Sequence, residues 1–227
     1  MPLRVHAFGP LSTTRTTVNG VSFDMVRVPP GRFVDGEGSG KRELLVTRPF
    51  EIGVTLVTQA LWRAVTGKSP SNFRGVDLPV EQVSWDDAQA FLGKLEALGF
   101  LGFRLPTEAE WVWSARCGVA TRWAGADRVE PVAVADQRQT APVGGLLSSA
   151  AGVLDLSGNA WEWQQDWWSD VPAAGVDTEG SASGSYRVIR GGSWSSDLQI
   201  ARVANRIFGG PGDRYDDLGV RLLRTAP

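Results

Sequence analysis

The second half of the chain contains no apolar pattern long enough for a helix, and this limits the folds open to the sequence. From about residue 120 onward the chain is rich in Gly, Ser, Asp and Trp, with only short apolar runs between them. A chain with early helices and late, irregular strands is typical of an α+β fold rather than of alternating β-α-β units. A long stretch with little regular structure inside a compact domain needs a bound ion or a functional role to hold it.

Helical patterns are confined to the first half, and each begins at a capping residue. The predicted helices start after Thr58, Ser84 and Thr107, and the first two stop at Gly67 and Gly99. Hydroxyl side chains at the start and glycine at the stop are the residues that satisfy the free backbone groups of helix ends. The third helix, in TEAEWVWSARCG, also carries a capping box.

Strand-like alternation marks the N-terminal segment FDMVRVPPGRFVDGEG, which breaks at Pro29, Pro30 and Gly31. This pattern predicts an opening hairpin. The 227 residues suffice to bury a full core. We expect a single domain over residues 22–227, preceded by an N-terminal tail over residues 1–21.

Charge and composition exclude several classes of partner. A net charge of −2 and a pI near 5.5 provide no basic surface for phosphate contacts, so we expect no nucleic-acid partner. No apolar stretch approaches membrane-spanning length and the N-terminus lacks a secretory pattern. We therefore expect no membrane partner and a soluble, cytoplasmic protein. The single cysteine, Cys117, has no histidine beside it and is interpreted as a buried, unreactive thiol.

Ten tryptophans are many for this length. They favour packing in the core and between elements over a platform for stacking sugars, because large aromatic side chains dominate core energetics.

The segment LDLSGNAWEW has the composition of an ion site. Asp155 and Glu162 flank the turn Ser157-Gly158-Asn159, which can expose backbone carbonyls between the two carboxylates. Such oxygens suit a hard cation such as Ca²⁺. The spacing is equally compatible with Glu162 paired to Arg190 or Arg221 and Asp155 capping the turn.

The following motifs occur in order along the chain: VSWDDAQAF, FRLPTEAEWVWSAR, PVG, LDLSGNAWEW, DWW, RVIRGGSW, ANR and LGVRLLR. Together they resemble the formylglycine-generating-enzyme (sulfatase-modifying factor) family from about residue 22 to 224. That family has an elaborated C-type-lectin-like fold, which the resemblance implies for this chain. The family segment equivalent to LDLSGNAWEW holds Ca²⁺, which implies the Asp155 and Glu162 side chains and the Gly158 and Ala160 carbonyls as ligands here.

The resemblance does not imply the family's chemistry. The sulfatase-activating members are copper-dependent oxidases with two cysteines, whose positions here correspond to Ser196 and Ala201. Without those thiolates a Cu(I) site cannot form, so no copper is expected. The lone histidine, His6, excludes both the three-histidine iron site of hercynine oxygenases and a Ser-His-Asp hydrolase.

A glycosidase-like pair of carboxylates stays open as an alternative. It would combine Asp166 with Asp216 or Asp217.

The chain most resembles a third branch with this fold, the variable proteins of diversity-generating retroelements. In these proteins, mutagenic reverse transcription changes adenines in a C-terminal repeat, and the variants of AAC codons never encode Lys, Glu, Gln, Met or Trp. The matching positions here all carry permitted residues. Gln199 is not of a permitted type, so it is assigned to the frame, the fixed segments that carry the variable positions. These ligand-contact positions are Ser195, Ser196, Asp197, Ile200, Ile207, Phe208, Gly209, Gly210, Asp213, Tyr215, Asp216 and Asp217.

A rigid frame should present these positions outward. RVIRGGSW, RVAN and LGVRLL are the frame segments, and the arginines at 190, 202, 206 and 221 are expected to make structural ion pairs or bonds to carbonyls. Small polar residues mixed with Phe208 and Tyr215 are typical of an antibody paratope. The alternative is that these are surface loops without special function.

The sequence thus predicts a non-catalytic, calcium-stabilised protein that binds an unknown protein or other macromolecular ligand over about residues 190–221. Two alternatives stay open. One is an enzyme of this family working without the cysteine pair, and the other is a module for one fixed partner.

Overall fold

The computed structural model describes residues 11–36, 40–127, 137–145 and 148–225. Residues 1–10 of the predicted tail, including His6, lie outside the described residues. Three helices and three small sheets make up the described part of the chain, as expected for an α+β fold. The elements are β1 (Thr13–Val18), β2 (Val21–Val28), β3 (Gly31–Asp35), β4 (Arg42–Val46), β5 (Phe50–Gly53), α1 (Gln59–Thr66), α2 (Trp85–Ala97), β6 (Phe103–Arg104), α3 (Glu108–Arg116), β7 (Trp161–Trp167), β8 (Gly175–Val176), β9 (Arg187–Arg190), β10 (Arg206–Gly209), β11 (Leu218–Gly219) and β12 (Leu223–Thr225).

The helices begin where the capping residues predict. The hydroxyls of Thr58, Ser84 and Thr107 each accept a hydrogen bond from a backbone N–H in the first helical turn. The last two caps form complete capping boxes, because the carboxylates of Asp87 and Glu110 accept a hydrogen bond from the cap residue's own N–H. The three helix predictions are confirmed.

The N-terminal strands differ from the prediction. The hairpin is formed by β1 and β2, with Val18 opposite Val21, so the predicted boundary between tail and domain falls within a paired strand. β3 turns away at Pro29 and Pro30 and pairs with β4 in another sheet. Gly31 packs so closely on Trp113 that a Cβ there would lie 2.0 Å from the indole ring, and this contact directs β3 toward α3.

The sheets link distant parts of the chain. The first has the order β1-β2-β5-β12-β6, the second β10-β9-β7-β11 and the third β3-β4-β8. β12 pairs with both β5 and β6. It therefore lies between these two strands and joins the C-terminal end of the described chain to the N-terminal sheet. The second sheet places β10 at an edge, next to β9.

Tryptophan side chains fill the space between these layers. None of the ten is exposed, and six are buried. Trp111 and Trp163 are among the largest fully buried side chains. This distribution agrees with core packing, and Cys117 is buried with them.

Buried arginines tie the loop-rich half to the first half of the chain, and Arg190, Arg206 and Arg221 make the ion pairs that were predicted for them. Arg190 and Arg221 are fully buried. Arg190 binds Asp35 and Glu108, while Arg206 binds Glu108. None of the helices in the described residues is both long and apolar enough to cross a bilayer.

Candidate functional site

The loop after β9 is built on two glycines with left-handed backbone. Gly191 and Gly192 have φ values of 106° and 78°, which glycine adopts readily and other residues do not. A Cβ at Gly192 would lie 2.7 Å from the Cα of Ala201. The chain can therefore fold back on itself here, which brings residues 193–201 into a compact loop.

Hydroxyl groups and one carboxylate tie the first part of this loop. The Ser193 N–H donates to Ser196 Oγ over 3.0 Å. The hydroxyls of Ser193 and Ser195 donate to Asp217 Oδ2 at 2.9 and 3.2 Å. The structure thus brings Ser195, Ser196 and Asp217 together, and these side chains hold the loop as well as lining it.

The next turn is capped by Asp197. Its Oδ1 accepts a hydrogen bond from the Gln199 N–H at 2.6 Å, and its carbonyl accepts one from the Ile200 N–H at 2.8 Å. Ala201 is fully buried below it. Ile200 projects outward from this turn.

Ile207 and Phe208 lie on the edge strand β10, opposite Ile189 and Val188 of β9. Gly209, which follows them, is buried. A Cβ at Gly209 would lie 3.0 Å from the Trp163 ring and 3.1 Å from Ile189. Gly209 therefore belongs to the frame, in contrast to its predicted role as a ligand contact.

A tight turn follows β10. The Gly210 N–H donates to Asp213 Oδ2 at 2.8 Å, and the Asp213 N–H returns a bond to the Gly210 carbonyl at 2.9 Å. The carbonyl of Tyr215 then accepts a bond from the Gln82 N–H at 2.9 Å. The carbonyl of Asp216 accepts one from Trp194 Nε1 at 3.2 Å. The backbone is anchored here while the side chain of Tyr215 stays free.

The twelve predicted positions therefore divide into two groups. The large apolar side chains of Ile200, Ile207, Phe208 and Tyr215 are 43, 39, 49 and 52% exposed, and we call these four residues the display set. The remaining positions are mostly polar or glycine, and many of their groups bond within the loops. Sequence patterns could not separate the two groups, because the separation depends on which positions contact Trp163 and Ser193 in the folded chain.

Two aromatic residues outside the predicted positions extend this surface. Phe208 contacts Trp168 and Tyr186, with ring centroids 4.8 and 4.9 Å apart. The guanidinium of Arg206 lies over the Trp168 ring, 3.9 Å from its centroid. Tyr186 is itself exposed. We call Phe208, Tyr186 and Trp168 the aromatic patch. These side chains come into contact because β10 pairs with β9.

Only part of the predicted calcium ligand set is free to bind an ion. Glu162 is fully buried, and both its oxygens accept bonds from Arg221 at 2.8–3.2 Å. Trp111 Nε1 adds a bond of 2.8 Å. This is the pairing that the sequence left open as an alternative. The described residues contain no cluster of three or more His, Cys, Asp or Glu side chains suited to a metal.

Asp155, by contrast, keeps a free oxygen. Its Oδ2 accepts a bond from the Gly144 N–H at 2.7 Å, whereas its buried Oδ1 has no hydrogen-bond partner among the described residues. Burial raises the pKa of this carboxyl. Gly158, in the turn that follows, has φ 109°, a backbone conformation that favours glycine. Of the two predicted carboxylate ligands, Asp155 keeps an oxygen without a hydrogen bond from the described residues, whereas both oxygens of Glu162 are bonded by Arg221.

The positions of the oxidase cysteines hold no redox chemistry. Ala201 is buried and Ser196 is bonded to Ser193. Burial raises the pKa of Cys117 to about 11, so its thiol is protonated at neutral pH. The carboxylates adjoining Asp166 are Glu108 and Glu110, rather than the Asp216 or Asp217 of the glycosidase alternative.

Comparisons with known proteins agree with this architecture. Variable protein 1 of Treponema denticola superposes with a TM-score of 0.87 at 30% identity, covering 94% of this chain and 99% of that one. PvdO from Pseudomonas aeruginosa gives a TM-score of 0.80 at 23% identity, covering 96% of this chain and all of that one. The formylglycine-generating enzyme of Streptomyces coelicolor is 31% identical, over 98% of this chain and 73% of that enzyme.

These similarities confirm the predicted C-type-lectin-like fold of the formylglycine-generating-enzyme type. The family model for the "Sulfatase-modifying factor enzyme 1-like domain" matches residues 13–226, which includes β1. The chain belongs to the sulfatase-modifying factor enzyme 1-like domain family.

Proposed function

We propose that the protein is a non-catalytic ligand-binding protein whose C-terminal loops form a diversified surface, as in the variable proteins of diversity-generating retroelements. The observation that carries this proposal is the display set. Four large apolar side chains are exposed on strand β10 and on the loops beside it, whose backbone is fixed by hydrogen bonds. Large apolar side chains that remain exposed together are typical of a binding surface.

The similarity to variable protein 1 of Treponema denticola supports the same proposal, since that protein matches nearly the whole chain. A rigid scaffold that carries changeable side chains on its loops is the arrangement used by binding proteins in general. The twelve positions also carry only residues that adenine mutagenesis of asparagine codons permits.

The proposed partner is a protein or another macromolecule. Exposed aromatic residues supply large contact areas at a small cost in side-chain entropy, and they are frequent hot spots in protein interfaces. Tyr186 contacts Phe208 and therefore extends the proposed binding surface beyond the display set. The net charge of −2 argues against nucleic acid.

Calcium stays part of the proposal as a structural ion. Asp155 would supply the side-chain oxygen, and the Gly158 and Ala160 carbonyls would complete the turn. Glu162 is left out because Arg221 neutralises it. Bound there, the ion would neutralise a buried carboxylate and stabilise the loop.

The alternative is a formylglycine-generating-type enzyme, favoured by the 31% identity to the Streptomyces coelicolor enzyme. Its chemistry would have to proceed without the cysteine pair, since Cys117 is the single cysteine. Incubating the protein with copper and a sulfatase-derived cysteine peptide, and measuring aldehyde formation, tests this alternative. We expect no aldehyde above the level without protein.

The binding proposal is tested by saturating each of the twelve positions and scoring folding by protease resistance on a display platform. We expect the display set to accept almost every residue type. Gly209 should tolerate almost none, because a Cβ would press on Trp163. If the display set is as intolerant as Gly209, these side chains support the fold and the proposal fails.

A further inference from the structure

The outer edge of β10 has no strand beside it. β10 lies at the end of the second sheet and pairs on one side with β9. In an antiparallel pair, every second residue turns its N–H and C=O groups away from the partner strand. Two of the four residues Arg206–Gly209 therefore direct backbone donors and acceptors outward. Apart from β9, no part of the described chain bonds to the backbone groups of these four residues.

β10 lacks the features that usually protect an edge strand. Such strands are commonly shielded by a projecting charge, a proline or a bulge. The single charge in β10 is Arg206, whose guanidinium bonds to Glu108 Oε1 at 2.7 Å and lies over the Trp168 ring. Ile207 and Phe208 are uncharged and are 39 and 49% exposed. The edge therefore offers both backbone groups and apolar side chains to an added strand.

The two exposed side chains of β10 border different faces of the sheet, because neighbouring residues of a strand point in opposite directions. Phe208 joins Tyr186 and Trp168 in the aromatic patch. Ile207, opposite Ile189 of β9, borders the other face. A strand added beside β10 would place alternate side chains against Ile207 and against the aromatic patch. Cross-strand pairs of aromatic and β-branched residues stabilise sheets.

Two carboxylates close to this edge have no cationic partner among the described residues. Asp170 accepts a hydrogen bond from Trp168 Nε1 at 3.1 Å. Asp213 accepts one from the N–H of Gly210, which directly follows β10, at 2.8 Å. The guanidinium of Arg206 is already neutralised in an ion pair. The edge therefore carries a negative charge, which favours a basic residue in the added strand.

We propose that the partner adds an extended segment to β10 as the fifth strand of this sheet, with alternating apolar side chains and a flanking Lys or Arg. This inference rests on the proposed function, because Ile207 and Phe208 belong to the display set. Backbone bonds do not depend on which side chains occupy these two positions. The backbone of β10 would thus supply a constant part of the affinity, while the changeable side chains select the partner.

A second copy of the chain is a poorer occupant of this edge. It would bring the same two carboxylates, Asp170 and Asp213, to a surface that is already negative. At ~3.3 Å per residue the four residues of β10 span only ~13 Å, whereas stable interfaces bury at least ~1,200 Å². An extended peptide needs no more than this edge to form its backbone bonds.

The test begins with two display libraries panned on the same immobilised protein. One contains linear random peptides and the other contains rigid helical domains with a randomised surface. We expect binders from the linear library, and we expect them to be enriched in Lys or Arg. A peptide selected there is then N-methylated at one backbone position at a time. Its affinity should fall ~10-fold at every second residue and change little at the residues between, because only alternate N–H groups face β10.

Variants of the protein locate the peptide on the edge. Phe208→Ala should weaken the selected peptide ~10-fold, because one apolar side chain of the edge is lost. Leu101→Ala is the matched control, since Leu101 is 67% exposed between α2 and β6 and lies outside the display set. Peptide affinity should be unchanged in this control. Equal effects of the two substitutions would overturn the assignment to β10.

The other outcomes separate this inference from the proposed function. Sensitivity to N-methylation at consecutive positions or at none would overturn the added strand, while the binding surface itself would remain. Binders from the helical library alone would have the same meaning. No binders from either library would contradict the proposed function as well. A dimer in sedimentation experiments without peptide, abolished by Phe208→Ala, would assign the edge to a second copy and overturn the proposal.

Discussion

At the residue scale, Gly209 shows how a position can look variable in sequence and yet be fixed in the fold. We expect Gly209→Ala to destabilise the protein by ~1–3 kcal/mol, because the new methyl group would overpack the Trp163 and Ile189 side chains. Urea denaturation measures the change. Gly212→Ala is the matched control, since nothing lies within 4 Å of its Cβ position. Equal losses in the two variants would contradict the assignment of Gly209 to the frame.

Arg221 is the second residue with a large predicted effect. It binds Glu162 and the carbonyls of Gly53, Val54 and Leu154 in the core. Arg221→Met should cost ~3–5 kcal/mol, because it leaves a buried carboxylate without its counter-ion.

The control for Arg221→Met is Arg214→Met, which breaks an exposed pair with Asp87 and should cost no more than ~1 kcal/mol. Guanidinium denaturation followed by tryptophan fluorescence compares the two variants. A loss for Arg221→Met no larger than that of the control would show that Arg221 does not hold the core.

Asp166 gives the stability a pH dependence. Burial raises its pKa from 3.8 to about 7, so the folded protein holds the proton more tightly than the unfolded chain does. Its contribution to stability is therefore complete below about pH 4 and is lost as the pH rises through about 7. Asparagine carries no such charge. We expect the Tm of Asp166→Asn relative to the unaltered protein to increase from pH 5 to pH 8; a constant difference would contradict the raised pKa.

At the scale of elements, the helices could be predicted and the strand partners could not. A helix cap is a local feature, so Ser84 and Thr107 identify their helices from a few neighbouring residues. Strand pairing depends on residues far apart in sequence, and β3 accordingly pairs with β4 instead of completing the predicted hairpin with β2. The aromatic patch was missed for the same reason, because Trp168 and Phe208 meet only through the second sheet.

The turn around Asp155 is the element in which calcium should matter. If the ion is bound there, chelation with EGTA should lower the Tm, because the buried Oδ1 would lose its partner. Asp155→Asn should reduce this response, since its side chain no longer carries the charge. Differential scanning calorimetry with and without EGTA measures both effects. An unchanged Tm of the unaltered protein after chelation would remove calcium from the proposal.

At the scale of the whole molecule, the fold was accessible through the ordered set of motifs rather than through local patterns. RVIRGGSW and LGVRLLR carry the two core arginines, and TEAEW carries Glu108, which binds one of them. The segments come together only in the folded chain, where Arg190 pairs with Glu108 and Arg221 pairs with Glu162. The motifs therefore predicted the architecture, whereas the division between display set and frame required the packing of individual side chains.

The most direct test of the central claim is the DNA sequence downstream of the coding region. The proposal predicts a near-identical repeat of the region encoding residues 190–221, with adenines at the codons of the display set and a reverse-transcriptase gene nearby. Codons for frame residues such as Gln199 and Arg221 should match in both copies. A genome without such a repeat would contradict diversification and return these residues to the role of ordinary surface loops.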